Sequence, residues 1–235
     1  MTVAIMQPYC FPYMGYFQLM AAADAFVAYD DAQYIKGGWV NRNRILLAGK
    51  PHLFTVPLHR PSIHASIADT VLHPGIDRWQ RKWYKTLAQA YAAAPYKQAG
   101  MDVVERAMVR AVAGTSVSML AIDTLSAVCD YIGLECTMYQ ASDLAYDRSG
   151  SATEKVISIC HHLGADSYVN ASGGRALYEP SDFSAVHIDL QFLAPLQTSY
   201  LQINTDAHIP NLSIIDALMH LPPDGILTRI QQYQI

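Results

Sequence analysis

The sequence predicts an α/β fold, Rossmann-like with a mostly parallel sheet, and three observations support this prediction. Short apolar runs alternate with amphipathic helical stretches at both ends of the chain, which is the pattern of βαβ units. Three consecutive helical stretches occupy the middle, at about residues 77–132. The length of 235 residues fits one domain. We therefore expect a single α/β domain over residues 1–235 with a helical insertion or lobe.

The first βαβ unit opens the chain. It consists of an apolar strand at residues 3–6, an aromatic loop with prolines, a helix at 16–25 and a buried strand at 26–29. Ligands bind beyond the carboxyl ends of parallel strands. We therefore expect a binding site where these two strands end, beside Gln7 and beside the Asp30–Asp31 pair.

Apolar periodicity and turn residues predict the remaining elements. Asp77 is the expected N-cap of the first middle helix, and Gly114 and Gly133 close the next two. A polar tail ends the chain. In chain order, these elements are a hairpin at 45–56 around Gly49, a strand at 67–72, helices at 77–93, 100–113 and 116–131, a strand at 134–140, a helix at 153–163, strands at 167–170 and 185–190, and a helix at 213–221.

Composition indicates a cytoplasmic protein that binds small molecules. The net charge is −4 and no polybasic run occurs, so we expect neither a nucleic-acid partner nor a membrane surface. No signal peptide and no apolar run long enough to span a membrane is present. The four cysteines lack metal or redox spacing and are expected to be reduced. Residues 200–214 are expected to cover the site or to form a subunit contact in a homo-oligomer.

The polar segment after the second strand supplies the main binding candidates. Asn41-Arg42-Asn43-Arg44 alternates, so an extended chain would place both guanidiniums on one face, which suits a diphosphate or a carboxylate. Alternatively, Arg42 pairs with Asp30 or Asp31 and only holds the loop. Trp39, after two glycines, either stacks on a base or sugar or anchors the hairpin. Lys36 and the loop residues Gln7, Tyr9, Tyr13 and Gly15 complete this set.

A second candidate segment follows the predicted strand at 167–170. Asn170, Ser172, Gly173, Gly174 and Arg175 form a turn of small residues with a cation. Such a turn makes a cradle of backbone N–H groups for phosphate or an oxyanion. The alternative is a plain left-handed turn without a ligand.

Four side chains are candidates for catalysis. Asp31 or His59 would act as a general base, and Cys10 would be an acyl-accepting thiolate if a nearby base or cation activated it. Tyr16 would donate a hydrogen bond. No cluster of histidine or cysteine has metal-ligand spacing, so no metal site is expected.

Pro12-Tyr13-Met14-Gly15-Tyr16 occupies the place of the His-x-Gly-His signature of HIGH-type nucleotidylyltransferases, after the first strand and at a helix start. Both histidines of that signature are tyrosines here. The similarity implies a nucleotidylyltransferase-like topology. Nucleotidyl transfer with Mg²⁺ is therefore an alternative function, although neutral tyrosines stabilise a phosphoryl transition state less than histidines do.

Several segments in order resemble the WbqC-like protein family: MQPYCFPYMGYFQL, DAFVAYDDAQYIKGGWVNRNRI, FTVPLH, DRWQRKWYKTLAQAYAAAPY, TEKVISICHHLGADSYVNASGGRALYEPSDF and SYLQINTDAHIPNLSIIDALMHL. The resemblance covers nearly the whole chain and implies a role in bacterial surface-polysaccharide biosynthesis. Cys10 departs from the pattern, since an aromatic residue is expected there. This departure makes Cys10 a poor candidate for a reaction shared by the family.

The leading hypothesis is a transferase that moves an acyl or aminoacyl group onto an amino group, in surface-glycan or related secondary metabolism. Its substrates would be a nucleotide-linked amino sugar or a carrier-protein-bound acyl group. No tightly bound cofactor is expected, with an acyl thioester or an Mg-nucleotide as co-substrate. The alternatives are an Mg-dependent nucleotidyltransferase and a non-catalytic binding or scaffold protein.

Overall fold

A computed structural model describes residues 1–62, 64–196 and 199–235. Helices and strands alternate as follows: β1 Thr2–Met6, α1 Met14–Ala21, β2 Ala25–Ala28, β3 Arg42–Leu47, β4 Lys50–Thr55, α2 Ile76–Ala90, α3 Lys97–Ala107, α4 Val117–Ile132, β5 Thr137–Gln140, α5 Ala152–Leu163, β6 Ser167–Ala171, α6 Pro180–Ser184, β7 Asp189–Pro195, α7 Ile214–His220, α8 Pro223–Ile230 and β8 Tyr233–Gln234. Short 3₁₀ helices follow β5 and β6 at Ala141–Asp143 and Ser172–Leu177.

The central sheet has six strands in the order β5-β2-β1-β6-β7-β8. Five of them are parallel, and only β8 runs antiparallel to its neighbour β7. The predicted α/β fold with a mostly parallel sheet is therefore confirmed, and its strand order is compatible with a Rossmann-like fold. The order reverses direction between β1 and β6, which is the topological switch point where such folds bind ligands.

Helices cover both faces of the sheet because β1 and β2 are apolar on both sides. Val3 and Ile5 pack in one hydrophobic cluster with α5 and Phe183, whereas Ala4 faces a larger cluster that contains α1. This is the two-residue alternation of a strand buried on both faces. The larger cluster continues without interruption through α2, α3, α4, α7 and α8, so the middle helices share the core of this face.

Helix ends mostly follow local signals. Ser151 caps α5 in a capping box with Glu154, and Gly133 and Gly164 end α4 and α5 in the left-handed conformation. The prediction for Asp77 is wrong, since Gly75 precedes α2 and Asp77 lies in its first turn, paired with Arg81 at 3.3 Å.

Several predicted elements are corrected by the structure. Residues 67–72 form turns with isolated bridges rather than a strand, because their backbone groups pair with residues near 58 and 116. The strand predicted at 185–190 begins only at Asp189 and extends to Pro195, since α6 and the left-handed residue His187 come first. The helix predicted at 100–113 ends at Ala107. The expected polar tail contains α8 and β8.

No helix in the described ranges is both long and apolar enough to cross a membrane.

Candidate functional site

A cavity of about 570 Å³ opens at the carboxyl edge of the sheet, at the topological switch point. The ends of three parallel strands contribute Met6, Ala171 and Pro195. The walls come from the loop before α1 and from α1 itself, from Trp39, Asn43 and Arg44, and from residues 200–217. The parallel sheet thus brings three of the predicted segments to one place, as its geometry requires.

Phe11 fixes the loop between β1 and α1. It is buried and has a left-handed backbone with φ 48°, a conformation that is strained for a bulky residue. Its carbonyl accepts hydrogen bonds from Asn43 Nδ2 and from the Ser213 hydroxyl, each at 2.7 Å, and its N–H donates to Thr124 Oγ1 at 3.0 Å. These bonds join the loop to β3, to the N-cap of α7 and to α4, and so hold the conformation.

The loop presents two tyrosines to the cavity. Tyr9 and Tyr13 line it, and neither hydroxyl has a hydrogen-bond partner among the described residues. Burial raises the pKa of both phenols, so they remain protonated donors at neutral pH. The Tyr13 ring lies against Gly15, where a Cβ atom would come within 2.5 Å of it. A glycine is needed there to keep the ring in place.

Tyr16, a predicted catalytic residue, uses its hydroxyl in a hydrogen bond within the protein. Its ring is buried at 3 % exposure beside that of Tyr9, and its hydroxyl donates to the carbonyl of Gln7 at 2.8 Å. Burial raises its pKa well above the ordinary value. Gln7 itself is not part of the cavity lining. The Tyr16 hydroxyl therefore stabilises the loop.

Arg44 is the cation of the cavity wall. Its Nη2 donates to the Asn211 carbonyl at 3.3 Å, while its Nε is buried and has no partner within the described residues. The half-exposed ring of Trp39 lies near two guanidiniums, with its centroid 5.7 Å from Arg44 Cζ and 6.0 Å from Arg42 Cζ. Arg42 does not line the cavity, and its Nε donates to the Gly38 carbonyl at 2.9 Å.

Residues 199–213, which we call the strap, form one wall of the cavity. Asp216 in the first turn of α7 is fully buried and holds the strap. One of its carboxylate oxygens accepts from the Tyr200 hydroxyl and from Gln202 Nε2, each at 2.7 Å, and the other accepts from the Tyr91 hydroxyl at 3.0 Å. The strap thus covers the cavity, one of the two roles that the sequence left open for it.

His208 lies on the strap and lines the cavity. Its Nδ1 is 3.2 Å from the carbonyl oxygen of Tyr200, and its ring packs edge-on against the Tyr200 ring with centroids 4.7 Å apart. A carbonyl only accepts, so Nδ1 carries the proton. In the neutral imidazole, Nε2 then has a lone pair, and it has no partner among the described residues. This is the arrangement of a general base.

The chain matches the model of the WbqC-like protein family over residues 7–228. It belongs to this family. A similar protein is an uncharacterized protein of Mycobacterium tuberculosis, Rv1507c, which is 30% identical over 187 residues, covering 79% of each chain. No solved structure matches the chain. The family match includes every cavity residue named above except Met6.

Cys10 lies in the core beneath the cavity rather than in its lining. It is fully buried, and burial raises the pKa of its thiol to about 12. No cation or base that would stabilise a thiolate contributes to this shift. The geometry therefore gives no support to Cys10 as a nucleophile.

Protein donors bind both carboxylates at the end of β2, although the buried Oδ1 of Asp31 has no partner among the described residues. Asp30 is buried and accepts from the Ser118 hydroxyl at 2.9 Å and from the backbone and hydroxyl of Ser142 at 2.9 and 3.0 Å. Asp31 accepts from the Tyr146 hydroxyl at 2.6 Å and from Arg148 Nε at 2.9 Å. The cation that pairs here is thus Arg148, not Arg42 as one reading of the sequence suggested.

Three further predicted residues also lie outside the cavity lining. His59 is exposed and packs near His73, with ring centroids 6.1 Å apart. Lys36 is exposed. Asn41 is buried and holds its loop, since its Nδ2 donates to the Val56 carbonyl at 2.7 Å and its Oδ1 accepts from the Tyr34 hydroxyl.

The segment after β6 reaches the cavity only through Ala171. Asn170 Oδ1 accepts from the Ala171 N–H at 2.8 Å, and Ser172, Gly173, Gly174 and Arg175 lie in a 3₁₀ helix. Neither glycine has a positive φ, so the segment is helical and is not the plain left-handed turn that stood as the alternative to an anion cradle. The Arg175 guanidinium stacks on the Phe192 ring at 4.7 Å, away from the cavity lining.

Sequence reasoning missed His208 and Tyr200 as individual candidates. They lie in the segment 200–214, which was expected, with Gln202, Asn211, Ser213 and Asp216, to cover the site or to form a subunit contact. No spacing motif or regular secondary structure singles them out. Within residues 1–62, 64–196 and 199–235, no group of three histidine, cysteine or acidic side chains is placed to hold a metal.

Proposed function

We propose that this protein is a transferase that moves an acyl or aminoacyl group onto an amino group of a small acceptor, an amino sugar or a related amine. The observation that carries the proposal is His208, whose imidazole lines the cavity with Nδ1 bound to the Tyr200 carbonyl and Nε2 unpaired. Amine acylation needs a neutral base near the nucleophile, and His208 has the required tautomer.

The cavity also contains donors for the oxyanion of such a reaction. Tyr9 and Tyr13 line it as protonated phenols without partners in the described chain. Donors that are positioned before the reaction stabilise the negative charge that develops on a carbonyl oxygen. This pair provides the function that the sequence assigned to the Gly173-Gly174 turn.

The reaction balances as a nucleophilic acyl substitution. The acceptor nitrogen attacks the carbonyl carbon of a thioester or ester, a C–N bond forms, and the carbonyl oxygen becomes an oxyanion that accepts hydrogen bonds from the two phenols. His208 Nε2 takes the proton from nitrogen. The C–S or C–O bond then breaks, and the leaving group departs with that proton to give the amide and a thiol or alcohol.

His208 replaces Asp31 and His59 as the proposed base. In the described part of the chain, no aspartate or glutamate lines the cavity, and the base proposed here must lie in that lining. The association of the WbqC-like family with surface polysaccharides supports an amino sugar as the acceptor.

The test is a transfer assay with the purified full-length chain. Acyl and aminoacyl thioesters are incubated with amino sugars and nucleotide-linked amino sugars, and the amide product is detected by its mass and by release of the thiol. His208→Asn keeps a donor for the Tyr200 carbonyl but removes the base, so it should reduce turnover by about 10²–10⁴-fold. His73→Asn, which lies outside the cavity lining, is the matched control and should retain full activity.

Two outcomes would contradict the proposal. Pyrophosphate release from ATP or CTP with Mg²⁺, dependent on Asp30 or Asp31, would establish nucleotidyl transfer instead. Absence of any product, together with unchanged thermal stability in the presence of every donor and acceptor, would favour the scaffold role. A ligand at a hundred times its Kd should raise the stability by about 2.7 kcal/mol.

A further inference from the structure

We infer that the acceptor bound in the cavity carries an anionic group, phosphate or carboxylate, which binds the Arg44 guanidinium while the sugar ring lies on Trp39. The inference deepens the proposed function by naming the class of acceptor, an amino sugar phosphate or an amino sugar acid. It concerns binding alone and is tested without a donor.

The charges of the cavity lining are the first observation. In the described ranges, the lining contains one arginine, Arg44, and no lysine, aspartate or glutamate. α1 begins at Met14 on the same wall and has no acidic residue in its first turn, so its positive end adds to the potential. The cavity therefore favours a ligand with negative charge.

The unused hydrogen-bonding capacity of Arg44 is the second observation. A guanidinium has five N–H donors, yet the described residues accept from it only once, through the Asn211 carbonyl at 3.3 Å. Its Nε is closed off from solvent, so the donors available to a ligand are those of the two terminal nitrogens. The guanidinium forms no ion pair among the described residues, and donors inside a protein normally have partners. A phosphate or carboxylate can supply two of them in the forked geometry that arginine prefers.

The position of Trp39 is the third observation. Its ring is 46% exposed and its centroid lies 5.7 Å from Arg44 Cζ. Arg42 donates a hydrogen bond to the carbonyl of Gly38, the residue before Trp39, and its guanidinium also lies near the indole ring. An aromatic face beside a cation suits a ring whose apolar face stacks on the indole while its anionic substituent reaches the guanidinium. A sugar with an acidic substituent has this shape.

The experiment is calorimetric titration of the full chain with glucosamine 6-phosphate, 2-amino-2-deoxyglucuronic or glucuronic acid, unsubstituted glucosamine and inorganic phosphate. We expect an acidic sugar to bind at least tenfold more tightly than glucosamine, and Arg44→Gln to weaken this binding by about ten- to a hundredfold. Arg175→Gln, also at the carboxyl edge of the sheet but outside the cavity lining, should bind like the wild type. Comparison of the sugar phosphate with the sugar acids shows whether the cavity prefers a phosphate or a carboxylate.

Two more variants keep the test decisive. Arg44→Lys retains the charge without the fork and should give intermediate affinity, so it answers the question if Arg44→Gln does not fold. Trp39→Ala should weaken the acidic sugars but leave inorganic phosphate unchanged. Equal binding of glucosamine and its phosphate, equal affinity of wild type and the Arg44 variants, or no binding of any anion at millimolar concentration would overturn the inference.

The two proposals fail in different ways. Tight binding of acidic sugars through Arg44 without transfer would uphold the inference and contradict the acyltransferase proposal. Transfer onto neutral amines with no dependence on Arg44 would uphold the acyltransferase proposal and contradict the inference of an anionic acceptor.

Discussion

The hydroxyl of Tyr200 donates a 2.7 Å hydrogen bond to the carboxylate of Asp216, which joins the strap to α7. Asp216 is completely buried. Burial, followed by the nearby Asp216 charge, raises the pKa of Tyr200 well above its ordinary value, so the phenol remains a donor. The position of His208, whose Nδ1 is bound to the Tyr200 carbonyl, therefore depends on a carboxylate in the core.

Removing this carboxylate should destabilise the whole protein. Asp216→Ala leaves the buried donors of Tyr200, Tyr91 and Gln202 without their acceptor. We expect the free energy of unfolding to fall by about 3–5 kcal/mol, measured by urea denaturation. Asp224→Ala, an exposed acid in the first turn of α8, should cost less than about 1 kcal/mol. Equal losses in the two variants would refute a structural role for the Asp216 network.

Variants of two N-cap serines should distinguish an effect on stability from an effect on the geometry of the cavity. Ser213 caps α7 and also donates to the Phe11 carbonyl at 2.7 Å, whereas Ser116 caps α4 and does not line the cavity. Each change to alanine should cost about 1–2 kcal/mol of stability. Only Ser213→Ala should also weaken binding of cavity ligands in calorimetry, since it releases the loop of Tyr9 and Tyr13. If Ser116→Ala also bound cavity ligands more weakly, general destabilisation would explain the weaker binding of both variants.

The two loop tyrosines, Tyr9 and Tyr13, should differ in role from Tyr16 of α1. Tyr9→Phe and Tyr13→Phe remove hydroxyls without protein partners and should change the free energy of unfolding by less than about 0.5 kcal/mol, while each lowers kcat by about a hundredfold. Tyr16→Phe removes the bond to the Gln7 carbonyl and should cost about 1 kcal/mol with little change in kcat. Denaturation and turnover measured on the same preparations check both. Unchanged turnover in the first two variants would exclude their role at the oxyanion.

Cys10 should make the protein sensitive to alkali. Burial raises the pKa of this thiol from 9.0 to about 12, so the unfolded chain releases the proton at a lower pH than the folded chain does. The resulting stability is fully present below pH 9 and is lost as the pH rises toward 12. Between pH 8 and 10.5 the wild type should therefore lose about 2 kcal/mol more than Cys10→Ala.

Denaturation curves at the two pH values measure this difference, and identical pH dependence would show that Cys10 ionises equally in both states. At pH 8, thiol reagents should reach the half-exposed Cys136, whose pKa is about 11, before they reach Cys10. Full activity of Cys10→Ala would agree with its place in the core.

Several features were predictable because their causes are local. The buried strand at residues 3–6 and the glycine that ends α4, Gly133, were predicted from neighbouring residues alone, and the structure contains both. The aromatic loop before α1 was expected at the site, and Tyr9, Tyr13 and Gly15 line the cavity. Such features depend on residues a few positions apart, which a sequence displays directly.

Other features depend on distant partners. Asp31 was a candidate base at a strand end, but Arg148, 117 positions later, pairs with it. Residues 67–72 have the apolar pattern of a strand, yet no neighbouring strand is available to pair with them along their length. A local pattern cannot reveal either fact, because the deciding partner lies elsewhere in the chain.

The sequence by itself determined the α/β class, the first βαβ unit, the family and the edge of the sheet at which the cavity opens. Only the tertiary structure decided which side chains face the cavity. His208 and Arg44 line the same cavity because the Ser213 hydroxyl binds the Phe11 carbonyl across 202 positions and Asp216 holds the strap. The strap lacks regular secondary structure, so its position is fixed by these long-range hydrogen bonds and not by the propensities of its own residues.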